Sequence, residues 1–185
     1  YIPYWRKDSL GNFIKQPCRY FNTEGVGNYY LVPRRRMQET ILDPFLYPYQ
    51  HMEVPMISLV APVIYQDQFY AVTGVDLPVT RIQRVLKTAS VYEAESSISL
   101  ISNNGIYAAT TKSDTLQGVS LENIYDNFNE QVVEIKNVTR RYLIEDEMLT
   151  VKVPVRVGQT GMPWQLRAKV PASAVYSKPN REITG

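Results

Sequence analysis

The chain has 185 residues, of which 44% are hydrophobic and 21% are charged, and its formal net charge is +2. These values are ordinary for a globular protein, so they exclude a disordered, collagen-like or coiled-coil chain and give no electrostatic reason to expect a nucleic-acid partner. The single histidine, His51, and the single cysteine, Cys18, cannot form an intrachain disulfide or a Cys/His metal site.

Aromatic residues are concentrated in the first part of the chain. Of the 21 Phe, Trp and Tyr residues, 14 lie within residues 1–70, and most of them are tyrosines. Because tyrosine packs like a hydrophobe but keeps a hydroxyl that needs a partner, this segment is typical of a core with an attached aromatic pocket. Residues 1–5 have the pattern of the middle of a strand, so we expect a fragment whose upstream portion is missing. No stretch reaches the ~18 apolar residues of a membrane-spanning helix, and no signal peptide is recognisable.

A strand, a polar turn, a second strand and a helix are predicted between residues 56 and 89. The strands cover residues 56–65 and 69–77, which are rich in apolar and β-branched residues. Pro78 suits the first turn of a helix. Apolar residues follow it at helical spacing, namely Val79, Ile82, Val85, Leu86 and Ala89.

The second half of the chain is predicted to form an antiparallel sheet with helices at its margins. Alternating residues lead into and out of an Asn-Gly turn at residues 103–105, which is a strong hairpin signal. Further elements are predicted as a helix at 121–128 and as strands at 131–136, 149–157 and 164–170. The Pro-Val step at 62–63 recurs at 154–155, and Leu77-Pro78 recurs as Val170-Pro171, which indicates duplicated halves.

Asp76 ends an otherwise apolar strand, where a carboxylate must be solvated, hydrogen-bonded or paired with a cation. Tyr29 and Tyr30 follow a glycine loop, and residues 43–49 present alternating aromatic rings between prolines. Aromatic faces together with one carboxylate are suited to holding an ammonium group. Two alternatives stay open, since Asp76 could cap the helix that begins near Pro78 and the tyrosines could simply pack at the edge of the core.

The sequence contains no recognisable catalytic constellation. His51 lies in a polar, turn-like stretch, and no nucleophile motif or phosphate-binding loop occurs. The acidic run at residues 145–147 fits a solvated hairpin turn better than a general acid/base pair. We therefore predict no catalytic residue, no metal ligand and no cofactor.

Four segments carry a resemblance to a known family: residues 29–33, 39–48, 58–63 and 69–77. Together they resemble the ligand-binding half of double Cache domains, the extracytoplasmic sensors of bacterial chemoreceptors and histidine kinases, and residues 97–171 fit the membrane-proximal module of that family. The resemblance implies an α+β fold of two PAS-like modules. Each module is an antiparallel sheet flanked by helices or loops, and the long N-terminal helix of these sensors is missing.

The resemblance also implies an organisation of the chain. A membrane-distal ligand-binding module occupies residues 1–80, a connecting helix and linker residues 81–95, and a membrane-proximal module residues 96–176. Residues 177–185 form a tail towards the membrane. Lys169 stands where the distal module has Asp76, so we expect the proximal module to be closely packed and without a ligand.

The implied function is that of a non-enzymatic sensing domain. It would lie in the periplasm as part of an inner-membrane signal transducer, either a methyl-accepting chemotaxis protein or a histidine kinase, and an attached kinase or cyclase module is compatible with it. The membrane would be reached through segments outside this chain, and the full-length receptor is expected to be a homodimer without a nucleic-acid partner. The alternative is a ligand-free dimerisation or partner-docking module, in which the aromatic residues would form an interface.

Amino-acid-binding members of the family carry Arg-X-Trp-Tyr, followed by a tyrosine and an aspartate. The resemblance places the aromatic pair on Tyr29 and Tyr30, the later tyrosine on Phe45 and the aspartate on Asp76, whereas the arginine position falls on Gly27. It therefore implies that the group holding the ligand's amine is kept and the group holding its carboxylate is lost. The ligand-binding residues predicted on this basis are Trp5, Tyr29, Tyr30, Asp43, Phe45, Tyr47, Ser58 and Asp76.

The predicted ligand is an amine, a quaternary ammonium compound or an amino-acid-like molecule. Because the arginine position is a glycine, an ordinary α-amino acid would need another cation for its carboxylate. The candidates for that role are Arg34, Arg35 and Arg19.

Overall fold

A computed structural model describes residues 2–49, 52–89, 95–137 and 140–176, so the prediction of a turn at His51 lies outside the described residues. The strands are β1 (Pro3–Lys7), β2 (Phe13–Pro17), β3 (Thr40–Ile41), β4 (Phe45–Tyr49), β5 (Met52–Tyr65), β6 (Gln68–Pro78), β7 (Ser97–Ile101), β8 (Tyr107–Thr110), β9 (Arg141–Glu145), β10 (Met148–Val155) and β11 (Trp164–Pro171). The helices are α1 (Asn28–Arg36), α2 (Val79–Thr88), α3 (Phe128–Lys136) and α4 (Ala172–Tyr176).

These strands form antiparallel sheets, which confirms the predicted α+β class. β1 pairs with β2, and a five-stranded sheet has the order β8-β7-β11-β10-β9. In a third sheet β5 lies between β3 and β4 and also pairs with β6. A helix follows a strand-ending proline twice: α2 follows Pro78, as predicted, and α4 follows Pro171, where the sequence predicts only the end of a strand.

The chain forms two compact units. The first unit contains residues 1–40 and 60–74, and the second contains residues 41–59 and 75–185. The boundary passes through β3, β5 and β6. The predicted division of the chain at residues 81–95 stays a prediction.

In the first unit, β1 and β2 form a hairpin whose turn is organised by Asp8. Its Oδ1 accepts hydrogen bonds from the backbone amides of Leu10 and Asn12 at 2.9 and 2.8 Å. These hydrogen bonds, above all the one from Asn12, hold the pKa of Asp8 below its ordinary value. The turn is thus closed by a charged acceptor rather than by an apolar contact.

Helix α1 also lies in the first unit, where the sequence predicts only a glycine loop leading into two tyrosines. The helix begins after Gly27 and contains Pro33, and it ends at Met37, whose φ of 55° is left-handed. A proline inside a helix removes a hydrogen-bond donor and normally argues against helix formation. For this reason the pattern of residues 28–36 does not predict the helix.

The core of the second unit is formed by buried apolar side chains from both of its sheets and from α2. One cluster contains Trp164 from β11, Ile57 from β5 and Val79 from α2. A second cluster joins Ile101 and Tyr107 to residues of the α3 region. Burial raises the pKa of the Tyr107 hydroxyl above its ordinary value, so this phenol stays protonated.

The predicted hairpins are confirmed in the strand pairings. The turn between β5 and β6 places Gln66 and Asp67 at positive φ, and the turn between β9 and β10 does the same with Asp146 and Glu147. Two successive residues at positive φ match the twist of paired antiparallel strands. The acidic run at 145–147 is therefore a hairpin turn, as predicted, although strand β9 on its N-terminal side is not predicted by the sequence.

The predicted strand at 131–136 is wrong, because these residues belong to helix α3. Val132 and Val133 are β-branched and favour a strand by local preference. Phe128 and Ile135, however, are two helical turns apart and pack in the same core cluster. Tertiary packing of this face determines the helix.

Helix α2 follows its predicted bounds, but the residues on its buried face differ from the apolar residues predicted at helical spacing. Val79 and Leu86 are buried as expected, whereas Val85 is 69% exposed. Gln83 is buried in its place. Its Nε2 donates to the Thr110 carbonyl and to Asp114 Oδ1, while its Oε1 accepts from the Thr110 amide at 2.8 Å. The Gln83 amide therefore fixes α2 to strand β8.

Replacing Gln83 with alanine is expected to lower the free energy of unfolding by about 1–3 kcal/mol, because buried groups of Thr110 lose their partner. Urea unfolding measures the change. Arg84→Ala is the matched control on the exposed side of the same helix and should stay within about 0.5 kcal/mol of the wild type. Equal unfolding of the two variants would contradict the anchoring role of Gln83.

Candidate ligand-binding site

One face of the β4–β5–β6 sheet in the second unit carries several of the predicted site residues. Phe45 and Tyr47 are two residues apart on β4, and their rings meet edge to face with centroids 6.5 Å apart. They lie opposite Met56 and Val54 of β5. Since side chains alternate along a strand, Ser58 projects from the same face of β5 as Met56. The sheet thus aligns two aromatic rings with a hydroxyl.

Ser58 is paired with Asp76, and this pair is the best-defined polar contact of the predicted site. The Ser58 hydroxyl donates to Asp76 Oδ1 at 2.6 Å, and Ser58 is 1% exposed. Helix α2 has Pro78 at its N-cap position and no side-chain capping bond. The alternative role of Asp76 as a helix cap is therefore not realised. Among the described residues, Asp76 has no further hydrogen bond or ion pair, which leaves Oδ2 available.

Asp43 is held by a different contact in the second unit. Its Oδ2 accepts a hydrogen bond from Asn104 Nδ2 at 2.6 Å, in the turn between β7 and β8. Its Oδ1 is buried and has no hydrogen-bond partner among the described residues. The contact ties the segment before β4 to the hairpin turn, and it occupies one of the two carboxylate oxygens.

The other predicted site residues belong to the first unit. Trp5 is 58% exposed on β1 and lies under the Lys15 ammonium, 5.5 Å from the ring centroid. The Tyr29 hydroxyl donates to the Arg19 carbonyl at 2.9 Å. Tyr30 packs edge to face against Phe21 and Phe69, with centroid distances of 5.6 and 5.4 Å. Each of these three aromatic side chains therefore contacts other residues of the first unit.

Gly27 has no room for any side chain. A Cβ placed on it would overlap the backbone carbonyl oxygens of Tyr20 and Thr23. Backbone atoms cannot move aside as the end of a flexible side chain can, so an arginine cannot be accommodated here without rebuilding the preceding loop. The backbone of this segment thus excludes a side chain at position 27, and the correspondence of Gly27 to the family's arginine stays a prediction.

Two of the three candidate arginines, Arg34 and Arg35, differ in their surroundings. Arg35 forms an ion pair with Glu24 at 2.9 Å. The Arg34 guanidinium lies over the rings of Tyr30 and Phe69, 5.8 and 6.0 Å from their centroids, and no described carboxylate lies within 4.0 Å of it. Of the two, Arg34 is the one that has no carboxylate partner in the described ranges.

Among the predicted site residues, the structure brings Ser58 into contact with Asp76 and Phe45 into contact with Tyr47. Trp5, Tyr29 and Tyr30 belong to the other unit, and the complete set stays a prediction. A feature that the sequence does not predict is a cavity of about 430 Å³ in the second unit, between α3 and strands β9 to β11. The expectation of a closely packed proximal module without a ligand stays a prediction.

Comparisons with known proteins identify the fold. A scan against protein-family models finds no match, and a search of curated proteins finds no relative. Among solved structures, the extracellular domain with the histidine-kinase designation mmHK1S-Z3 matches with a TM-score of 0.75 at 19% identity, covering 95% of this chain and 63% of that chain. The periplasmic sensory domain of the Campylobacter jejuni chemoreceptor Tlp1 matches with a TM-score of 0.67 at 16% identity. This match covers 94% of this chain and 64% of that chain.

A third neighbour is the ligand-binding domain of the Pseudomonas aeruginosa amino acid chemoreceptor PctB in complex with L-Gln. It matches with a TM-score of 0.58 at 15% identity and covers 96% of this chain and 71% of that one. The chain therefore has the fold of sensor domains from histidine kinases and chemoreceptors, and the resemblance to Cache sensors is confirmed at the level of the fold. The chain spans 63% and 64% of the first two neighbours. No helix among the described residues is both long and apolar enough to cross a membrane.

Proposed function

We propose that the chain is the extracytoplasmic small-molecule sensing part of a membrane signal transducer, either a chemoreceptor or a histidine kinase, and that it has no enzymatic activity of its own. The match to extracellular and periplasmic sensor domains over 94–95% of the chain supports this proposal. The ligand class proposed is a small amine, a quaternary ammonium compound or an amino-acid-like molecule, by analogy with the PctB domain and its bound L-Gln.

The observation that carries the proposed ligand class is the state of Asp76. One oxygen accepts a short hydrogen bond from the buried Ser58 hydroxyl, while no described cation or helix N-terminus uses the other. A carboxylate oriented in this way is prepared for an ammonium ligand, since a charged donor strengthens the hydrogen bond. Phe45 and Tyr47 add aromatic edges and faces on the same side of the sheet.

Gly27 sets a preference within this ligand class. Without an arginine at that position, the carboxylate of a free amino acid loses its usual partner, whereas an amine keeps Asp76. Arg34, whose charge is uncompensated among the described residues, is the remaining candidate for an amino-acid carboxylate. We therefore rank simple amines and quaternary ammonium compounds above free amino acids.

Asp76→Asn is expected to weaken binding of an amine by about 30-fold or more, because truncating one partner of a buried charged hydrogen bond costs about 2–5 kcal/mol. A thermal-shift panel of choline, γ-aminobutyrate and L-glutamine selects the amine, and calorimetric titration then compares the variants. Asp67→Asn, in the exposed turn between β5 and β6, is the matched control and should bind like the wild type. The proposal fails if no amine in the panel binds, or if Asp76→Asn binds the selected amine as tightly as the wild type.

The second candidate function is a ligand-free dimerisation or docking module. Tyr65 and Tyr70 favour it, because they are 63% and 60% exposed and pack edge to face on the β5–β6 hairpin of the first unit. The same thermal-shift panel separates the two functions: a ligand that binds the native state raises the melting temperature with its concentration, and an empty scaffold does not respond.

A further inference from the structure

The cavity in the second unit lies on the side of the five-stranded sheet that faces helix α3. Its volume of about 430 Å³ falls within the range of about 300–1,000 Å³ typical of small-molecule sites. Four cationic side chains line it, namely Arg141, Lys152, Arg167 and Lys169. This cavity is separate from the Asp76 face, and the inference drawn from it does not depend on the proposed function.

Three of the four cations form a row across neighbouring strands. Arg141 on β9 is directly opposite Lys152 on β10, and Lys152 is directly opposite Arg167 on β11. Like charges at directly opposite positions of an antiparallel sheet destabilise it. Lys169 extends the cationic surface two residues further along β11, opposite Thr150. Negative charge against this face would therefore reduce the repulsion within the row.

Within the described part of the chain, one member of this row has an ion-pair partner. Lys152 Nζ lies 2.6 Å from Glu134 Oε2 of helix α3, and their side chains are 11% and 17% exposed. Arg167 donates to Gln131 Oε1 at 2.9 Å and to Gln165 Oε1 at 2.8 Å, both of which are neutral acceptors. No described carboxylate lies within 4.0 Å of the Arg167 guanidinium. The half-buried Arg167 is therefore oriented by its neighbours while its charge is left for another partner.

The charge balance of the lining favours a ligand with one negative charge. Three carboxylates also line the cavity, Glu134 and the exposed Glu130 and Glu145, against the four cations. The surplus is one positive charge. An anion with two charges, such as phosphate, would meet three carboxylates with only that surplus to compensate it, whereas a monocarboxylate matches it. A guanidinium also presents the forked donors that fit a carboxylate.

We propose that the cavity between α3 and strands β9 to β11 binds a small monocarboxylate, whose oxygens are held by Arg167, with Arg141 and Lys169 contributing positive charge. The chain then has a second ligand site besides the one at Asp76. The hydrogen bonds to the neutral acceptors Gln131 and Gln165 orient the Arg167 guanidinium. The Lys152–Glu134 ion pair forms part of the cavity lining.

The test titrates the chain with sodium propionate at low ionic strength and follows backbone amide shifts by NMR. We expect saturable shifts at residues 141, 152 and 167, and a loss of affinity of about 30-fold or more in Arg167→Gln. Arg156→Gln, on an exposed side chain outside the cavity, is the matched control and should bind like the wild type. Lys169→Gln should also weaken propionate binding. Because Lys169 is exposed, its replacement should not disturb folding, so this variant tests the site even if the Arg167 variant misfolds.

Three outcomes would overturn the inference: no saturable shift in the wild type, equal propionate affinity in wild type and Arg167→Gln, or shifts that map away from the cavity. Inorganic phosphate is the second probe, and binding tighter than that of propionate would reject the monocarboxylate assignment. Asp76→Asn should leave propionate affinity unchanged, and Arg167→Gln should leave amine affinity unchanged. Failure of this site is thus distinguishable from failure of the proposed function.

Discussion

Replacing Glu134 with alanine is expected to lower the free energy of unfolding by about 3–5 kcal/mol. The Glu134 carboxylate lies 2.6 Å from the Lys152 ammonium, and both side chains are largely buried between α3 and the sheet. Removing the carboxylate leaves the largely buried ammonium without its ion-pair partner. It also restores the full repulsion between Lys152 and its cross-strand neighbours Arg141 and Arg167. Urea unfolding followed by circular dichroism measures the change.

The control variants distinguish a buried pair from a general effect of charge. Glu130→Ala, at an exposed position of the same helix, should change stability by less than about 0.5 kcal/mol. The double variant Glu134→Leu with Lys152→Met removes both charges and should recover most of the loss, because apolar side chains of similar volume replace a buried ion pair at little cost. The prediction is wrong if Glu134→Ala unfolds at the same urea concentration as Glu130→Ala.

Trp164→Ala is expected to destabilise the second unit by about 3–5 kcal/mol, because it leaves a large cavity in the core. Trp164 is 1% exposed and packs with Ile41, Ile57 and Val79. Its indole Nε1 is buried and has no hydrogen-bond partner among the described residues. The ring therefore stabilises through apolar packing alone. Thermal and urea unfolding of the variant measure the loss.

Trp164→Phe separates packing from polarity at this position. Phenylalanine keeps most of the apolar volume and removes an N–H group that is unpaired within the described part of the chain, so we expect a loss below about 1.5 kcal/mol. Tyr142→Ala, on a side chain that is 81% exposed, is the surface control. A Trp164→Phe variant as unstable as Trp164→Ala would show that the indole N–H has a partner that stabilises the fold.

The local sequence pattern predicts an element correctly when the intrinsic preferences of its residues match the structure that tertiary packing imposes. The hairpins at β5–β6 and β7–β8 and the helix at Val79–Thr88 follow from alternation, turn residues and a proline at the helix start. Helix α1 is not predicted, because Pro33 argues against it, and β-branched residues make α3 resemble a strand. In both cases the deciding interaction is packing against residues distant in the sequence.

The same distinction applies to the sites. Asp76 is recognisable in the sequence, since a carboxylate at the end of an apolar strand needs an explanation. Its partner Ser58 is 18 residues away, and the hydrogen bond that joins them depends on the alignment of two strands. The cationic row is harder to predict, because Arg141, Lys152 and Arg167 each look like a solvated strand residue. Only the strand register shows that they stand side by side.

The backbone around Gly27 has a consequence for how ligand specificity could change during evolution. The carbonyl oxygens of Tyr20 and Thr23 occupy the space that any side chain at this position would need. A codon change to arginine would disrupt the start of α1 before it could provide a new anchor for a carboxylate. An arginine at position 27 therefore requires exchange of the whole segment 20–27, by insertion or recombination, and is not reached by a single substitution. In directed evolution, libraries that vary the length of this segment should yield folded variants with an arginine at this place, whereas saturation of position 27 alone should not.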